Sequence, residues 1–188
     1  MHQQYFFGYG SLVNQRTHSY PEGRPARLKG WRRMWCHTEA SDQVFLSAHP
    51  VTGGTIDGLI AQVPGQDWHA LDHRETGYLR QPVTDQLDHD HPAQPHVQVY
   101  AIPRDRHLSE TGGHILLSYL DVVVQGFLQT YGPDGVAGFF DSTDGWDRVV
   151  LDDRAAPRYP RHQQLTPSET ALVNGYLDRL PVRVRRTD

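Results

Sequence analysis

Tyr5-Phe6-Phe7 is a short aromatic run that ends in Gly8-Tyr9-Gly10-Ser11, and aromatics followed by glycines predict a buried strand that turns sharply. Residues 26–38 alternate imperfectly between apolar and polar positions and read as strand, with Gly30 as a bulge. A short strand over 42–46 and a better one over 55–63, closed by Pro64-Gly65, complete a β-rich first third. The pattern then changes. Trp68, Leu71, Asp72 and Glu75 fall at i, i+3, i+4 and i+7, which predicts a short helix ended by Gly77, with Glu75 in its last turn. Residues 78–87 and 97–103 read as the strands of a long hairpin. The intervening 88–95 holds two prolines and four charged or titratable residues, which exclude a core role.

Residues 113–130 are apolar over most of a helical circumference, and Pro133 prevents continuation, so a largely buried helix is expected there. Residues 141–164 are poor in aliphatics and rich in Asp, Arg and Pro, and Ala156-Pro157-Arg158-Tyr159-Pro160-Arg161 reads as an extended surface segment. Thr166-Pro167-Ser168-Glu169 has the form of a capping box with proline at the first helical position, predicting a helix to about Leu180. The tail Arg183-Val184-Arg185-Arg186 reads as a solvated end. No internal repeat or low-complexity linker interrupts the chain. The expectation is one α+β domain over 1–188, with 139–188 as a wrapping carboxy-terminal segment and helix.

A length of 188 residues agrees with one domain, and it permits a core without disulfides, which the lone Cys36 could not form internally. No apolar run approaches the roughly 20 residues of a membrane helix, and the first residues do not form a secretory signal, so a cytoplasmic location is expected. Eighteen Lys plus Arg against 22 Asp plus Glu give a net charge of −4, the wrong sign for gripping phosphate backbones, so nucleic acid is not expected as a partner. Lys29 is the only lysine. Any side-chain anion site would therefore use an arginine fork.

Two segments carry chemical content. In Gly8-Tyr9-Gly10-Ser11-Leu12, glycines beside a serine at a strand end can expose backbone N–H groups to an oxyanion or carboxylate, or can simply form a tight turn. Val13 stands where a dinucleotide fingerprint needs its third glycine, and no P-loop lysine follows. Ser11 lacks the flanking pattern of a nucleophile elbow. In the second segment, Leu71-Asp72-His73-Arg74-Glu75, the glutamate is either a solvated helix end or, flanked by Trp68, Leu71 and Tyr78, a partly buried acid with a raised pKa suited to proton transfer. His69 and His73 have i, i+4 metal-ligand spacing, and Asp88-His89-Asp90-His91 adds further donors. Without cysteine or a fuller signature these read as a solvated face and a polar loop, so no metal is expected.

Taken together, these residues resemble the γ-glutamylcyclotransferase-like superfamily, which includes γ-glutamylamine cyclotransferases, ChaC-type glutathione-degrading enzymes and AIG2-like proteins. Tyr9-Gly10-Ser11-Leu12 is similar to the family's substrate loop, and Leu71-Asp72-His73-Arg74-Glu75 to its Leu-Asp-x-x-Glu segment. Gly58 to Val63 matches a strand ahead of that segment, and Ser118 to Gly126 a later helix, so the likeness spans roughly residues 5–126. The resemblance implies a small mixed β-barrel with flanking helices. It also implies release of 5-oxoproline from a small-molecule γ-glutamyl substrate without a cofactor, with Glu75 as acid/base and Tyr9, Gly10, Ser11, Leu12, Tyr78 and Tyr119 around the substrate. Arg158 and Arg161 could clamp a substrate carboxylate, although a surface role is the simpler reading. Two other function classes remain open at this point: a non-catalytic binding member of the same fold, and a metal-dependent hydrolase using His69 and His73.

Overall fold

The aromatic run becomes strand β1 (Gln4–Gly8), in which Tyr5, Phe6 and Phe7 are at most 1% exposed. In this computed structural model, which describes residues 3–39, 41–108 and 112–186, β1 is an inner strand of a ten-stranded sheet. It lies antiparallel to β3 (Ser41–Gln62) and parallel to β6 (His96–Ala101). Cover on both faces accounts for a continuous apolar run rather than an alternating one. Strand β2 (Arg24–Thr38) pairs with β3 along nearly its whole length, from Arg24 opposite Ile60 to Thr38 opposite Ser41. Gly30, at φ +81, carries the expected bulge, and the register shifts between Lys29 and Trp31. The strands expected at 42–46 and 55–63 are one strand, because β2 is long enough to keep residues 47–50 in the ladder between them.

The long hairpin is correct only in its first half. Strand β4 (Leu79–Pro82) pairs antiparallel with β6, but β5 (Leu87–His89) pairs with β2 instead. A 3₁₀ turn over Thr84–Gln86 redirects the chain, and the Trp31 indole N–H donates to Gln86 Oε1 at 2.7 Å, pinning that turn to β2. The resulting ribbon runs β5-β2-β3-β1-β6-β4. Laid flat at about 4.8 Å per strand, it would separate β4 from β5 by about 24 Å. The chain from Pro82 to Leu87 reaches about 18 Å at full extension, so the sheet must curl. This is the expected mixed α+β fold, with its curl closed by covalent chain; among the described residues no ladder joins β4 to β5. The 88–95 loop corrects another expectation, since His91 is 7% exposed, its ring held 2.8 Å from the Tyr5 hydroxyl.

Residues 114–116, expected to be helical, form strand β7 (His114–Leu116) beside β3 and β9 (Val149–Asp152). Helix α2 therefore starts later and spans Leu117–Asp141, after the short α1 (His69–Arg74). Its first half is buried around most of its circumference, including Leu120, Val123, Val124 and Phe127. The break expected at Pro133 occurs at Gly132, φ +71, but proline then opens a second helical stretch to Asp141. Helix α3 (Pro167–Leu177) has the predicted capping box and ends close to the predicted position.

The stretch 141–164 is less superficial than its composition indicates. Between α2 and β9 lies the two-residue strand β8 (Thr143–Asp144) beside β2, and Trp146, Val150 and Asp153 are buried. The arginine-rich tail forms β10 (Arg183–Arg186) parallel to β9, with exposed side chains. One hydrophobic cluster draws on residues from Tyr5 to Leu177. Among the described residues no helix is long and apolar enough to cross a membrane.

Candidate active site

Beyond Gly8 the chain makes a single 3₁₀ turn over Ser11–Val13, closed by Val13 N–H donating to Gly10 O at 2.9 Å. The first N–H groups of such a turn have no partner within it. Two contacts fix the turn from beneath. The Tyr9 hydroxyl donates to Tyr100 O at 2.6 Å, and the Nε of Arg33 donates to Tyr9 O at 2.9 Å. Arg33 is fully buried, stacked over the Phe127 ring at 4.8 Å, and burial lowers its pKa to about 9. It is therefore still cationic near neutral pH. Gly10 faces the Tyr119 hydroxyl: a Cβ there would lie 2.7 Å from that oxygen.

Glu75 sits at the carboxyl end of α1, where Leu71 O accepts its N–H at 2.9 Å and Gly77, at φ +95, turns the chain toward Tyr78. Its carboxylate pairs with Arg74 Nε at 3.1 Å, and the two side chains are only 16% and 7% exposed. Arg74 also donates to Ser11 Oγ at 3.3 Å, Thr17 O at 3.0 Å and Thr17 Oγ1 at 3.1 Å. One guanidinium thus joins the glycine turn to the acidic residue. Burial raises the Glu75 pKa above its ordinary 4.5, opposed by the positive charges of Arg74 and Arg161. Burial also raises Tyr9, Tyr78 and Tyr119, so these phenols stay protonated near neutral pH. Tyr78 donates to Leu46 O at 2.9 Å.

Tyr9, Gly10, Ser11, Leu12, Glu75, Tyr78 and Tyr119 all line one small cavity of about 30 Å³. Ser11, Glu75, Tyr78 and Tyr119 also border the adjoining cavity of about 160 Å³. Beyond Arg161, the sequence reading did not anticipate the rest of this larger space, to which β3 supplies Gln43 to Leu46 and a distant segment supplies Tyr159 beside Arg161. That segment is held by Asp153, fully buried, which accepts from Ser118 N–H and Oγ and from Arg158 N–H at 2.6–2.8 Å. Tyr159 N–H donates to Ser118 Oγ at 3.2 Å, and its ring meets Tyr119 edge-on at 5.0 Å. The arginines were the signal in the sequence; the burial of Asp153 beneath this Pro/Arg-rich stretch was not visible there. The two arginines considered together therefore separate. Arg161 borders the cavity, whereas Arg158 lines an open groove with His114, Arg185 and Arg186.

Other nucleophiles and ligands lie apart. Burial pushes the Cys36 thiol up to about 12, which leaves almost no thiolate near neutral pH. Among the described residues no three His, Cys, Asp or Glu side chains converge as metal ligands, and His69 and His73 are exposed.

A model of the family described as gamma-glutamyl cyclotransferase, AIG2-like, matches residues 6–117. The chain belongs to this family. No curated protein sequence is significantly similar to it. Among solved structures, a gamma-glutamyl cyclotransferase is similar at 12% identity with a TM-score of 0.58, covering 92% of this chain and 99% of that one. An uncharacterized Homo sapiens protein is similar at 12% identity and 0.59, covering 93% and 99%. YkqA from Bacillus subtilis is similar at 16% identity and 0.57, covering 74% of this chain and 53% of its own, so the chain spans about half of YkqA. These likenesses show the shared fold.

Proposed function

We propose that the chain is a cyclotransferase that releases 5-oxoproline from a γ-glutamyl amine, peptide or related small molecule. The observation that carries this reading is a buried carboxylate with a raised pKa, Glu75, at the junction of two cavities and beside the Tyr9–Leu12 turn. Membership of the family supports it. The single core cluster supports treating 1–188 as one catalytic domain, with 139–188 wrapped around it.

The reaction needs a base for an ammonium proton, donors for an oxyanion and a carboxylate, and a pocket that folds the glutamyl chain into attack geometry. Glu75 accepts a proton from the substrate's α-ammonium. The freed amine attacks the γ-carbonyl carbon, and the tetrahedral centre collapses with cleavage of the C–N amide bond. The two protons given up by the ammonium leave on the departing amine, Glu75 carrying them across. Backbone N–H groups of the Gly10–Leu12 turn are the donors on the glutamyl side. Tyr9 and Tyr78, whose hydroxyls are committed to main-chain acceptors, shape the wall, and Tyr119 places its hydroxyl against Gly10.

The experiment is 5-oxoproline release from a panel of γ-glutamyl amino acids, γ-glutamyl amines and glutathione, with the native chain beside a folded Glu75→Gln variant. Loss of about 10²- to 10⁴-fold in the variant is the expected result for an acid/base residue. A folded native chain that releases nothing from any panel member would overturn the reading and favour a binding role for the same cavity.

A further inference from the structure

The larger cavity contains two arginines in opposite situations. Arg74 is fully engaged by Glu75, Ser11 and Thr17. Arg161 is half-buried at the border of the same cavity, and among the described residues its guanidinium makes no hydrogen bond or ion pair. Its charge is felt by Glu75 and Tyr20. This is not a side chain trailing in solvent. It is presented by the 153–161 segment, which Asp153 and Ser118 tie to the start of α2, and Tyr159 borders the same cavity. A half-desolvated guanidinium with no partner is a planar double donor suited to a carboxylate.

Charge counting around the cavity points the same way. Arg74 and Arg161 against an ionised Glu75 leave the lining one positive charge in excess. A γ-glutamyl amine with a neutral leaving group is a zwitterion and leaves that excess standing. A γ-glutamyl amino acid or peptide carries one further carboxylate and cancels it. A polyamine conjugate would add to it, with like charges in a space only partly open to water.

Resting on the cyclotransferase reading, we propose that Arg161 is a specificity-determining residue that binds a carboxylate on the leaving group. The preferred substrates are then γ-glutamyl amino acids or peptides with a free leaving-group carboxylate. The glutamyl group itself is held by the glycine turn, which lines the smaller cavity that Arg161 does not border.

The test compares γ-glutamylalanine with γ-glutamylethylamide, which lacks only the leaving-group carboxylate, in native protein and Arg161→Gln. Native kcat/KM should favour γ-glutamylalanine by about 10- to 100-fold, the range for a hydrogen-bonded charged contact. Arg161→Gln should lose most of that preference through KM, changing the ethylamide at most a few-fold. A merely structural role for Arg161, or contact with the glutamyl carboxylate, would lower both substrates equally and overturn the proposal. So would a native enzyme indifferent to the carboxylate. Equilibrium binding of the same two compounds to Glu75→Gln, with and without Arg161→Gln, judges Arg161 without turnover. Selective binding of γ-glutamylalanine that disappears with Arg161 sustains the proposal even if no 5-oxoproline is released, and equal binding of the two compounds overturns it.

Discussion

Gly10→Ala is the sharpest perturbation of the glycine turn. The added methyl would lie 2.7 Å from the Tyr119 hydroxyl and 3.2 Å from Leu46 Cδ2, where ordinary contact begins near 3.4 Å. Relief requires the phenol oxygen to retreat by roughly 0.7 Å, the shortfall between those distances. The ring has little freedom for this, because Trp35 meets it edge-on at 5.9 Å and Tyr159 at 5.0 Å. Overpacking of this kind costs about 1–3 kcal/mol. For a chain of this size each kcal/mol lowers Tm by about 2–4 °C.

The assay is urea unfolding of four proteins: native, Gly10→Ala, Tyr119→Phe and the double variant, with unchanged m-values as the check that only stability differs. Tyr119→Phe alone should cost about 1 kcal/mol for its hydroxyl contact. In the double variant the clashing oxygen is gone, and only the milder Leu46 contact remains. The double variant should therefore be more stable than the sum of the two changes predicts, by about 1 kcal/mol or more. Additivity within about 0.5 kcal/mol would show that the methyl does not meet this hydroxyl. The close packing of the turn against α2 would then be wrong.

The acid side of the kcat/KM profile should have its midpoint above 4.5, because burial raises Glu75 and activity requires its ionised form, so the rate falls as pH drops through that raised value. Removing the Arg161 charge should move the midpoint further up in pH; a native midpoint at or below 4.5 would contradict the burial argument. Arg33→Leu strips partners from Tyr9 O, Asp57 O and Ser142 Oγ. Ser142 Oγ keeps its bond to Gly138 O, so at about 1–3 kcal/mol for each of the two carbonyls stripped a loss of about 2 kcal/mol or more is expected in denaturant titration. Thr166→Ala removes the capping-box acceptor of Glu169 N–H and should cost about 0.5–2 kcal/mol while leaving kcat/KM within twofold.

The sequence was most legible where one short-range cause decides the structure. Aromatics that must be covered on both faces make β1, a threonine with a proline and a glutamate at set offsets starts α3, and a glycine at φ +81 places the bulge in β2. Legibility failed where a distant partner decides. Residues 114–116 have a helical pattern yet become β7 because β9, about 35 residues later, offers them a ladder. Residues 87–89 leave their hairpin because β2 and the Trp31–Gln86 hydrogen bond hold them. The site divides in the same way. Glu75 and the glycine turn could be singled out in the sequence and given roles only through the family resemblance, and the Arg74 bridge between them depends on a tertiary approach of α1 to Ser11 and Thr17.

That division has a functional counterpart. The family match ends at residue 117, so it contains the glycine turn, Arg74, Glu75 and Tyr78, the groups to which the proposed mechanism gives the glutamyl moiety and its proton. Tyr119, Tyr159 and Arg161 lie beyond it; Tyr119 borders both cavities, whereas Tyr159 and Arg161 border only the larger one, where the proposal puts the leaving group. A shared ring closure demands a constant geometry at the glutamyl end only; the departing amine can vary without altering the attacking atoms. Chain outside the matched region is therefore the physically permitted place for selectivity. The buried Asp153 lets a segment of otherwise exposed residues, 155–158, deliver Tyr159 and Arg161 to that larger cavity in a fixed position. Asp153→Asn tests this dependence. It keeps the side chain's size but places an amide N–H₂ where the Ser118 and Arg158 donors now meet carboxylate oxygens. Selectivity between γ-glutamylalanine and γ-glutamylethylamide should fall by several-fold, while turnover of the ethylamide falls less, because Arg161 would lose its anchor and Glu75 would keep its own. Equal losses on both compounds would mean that the segment supports the reaction centre itself.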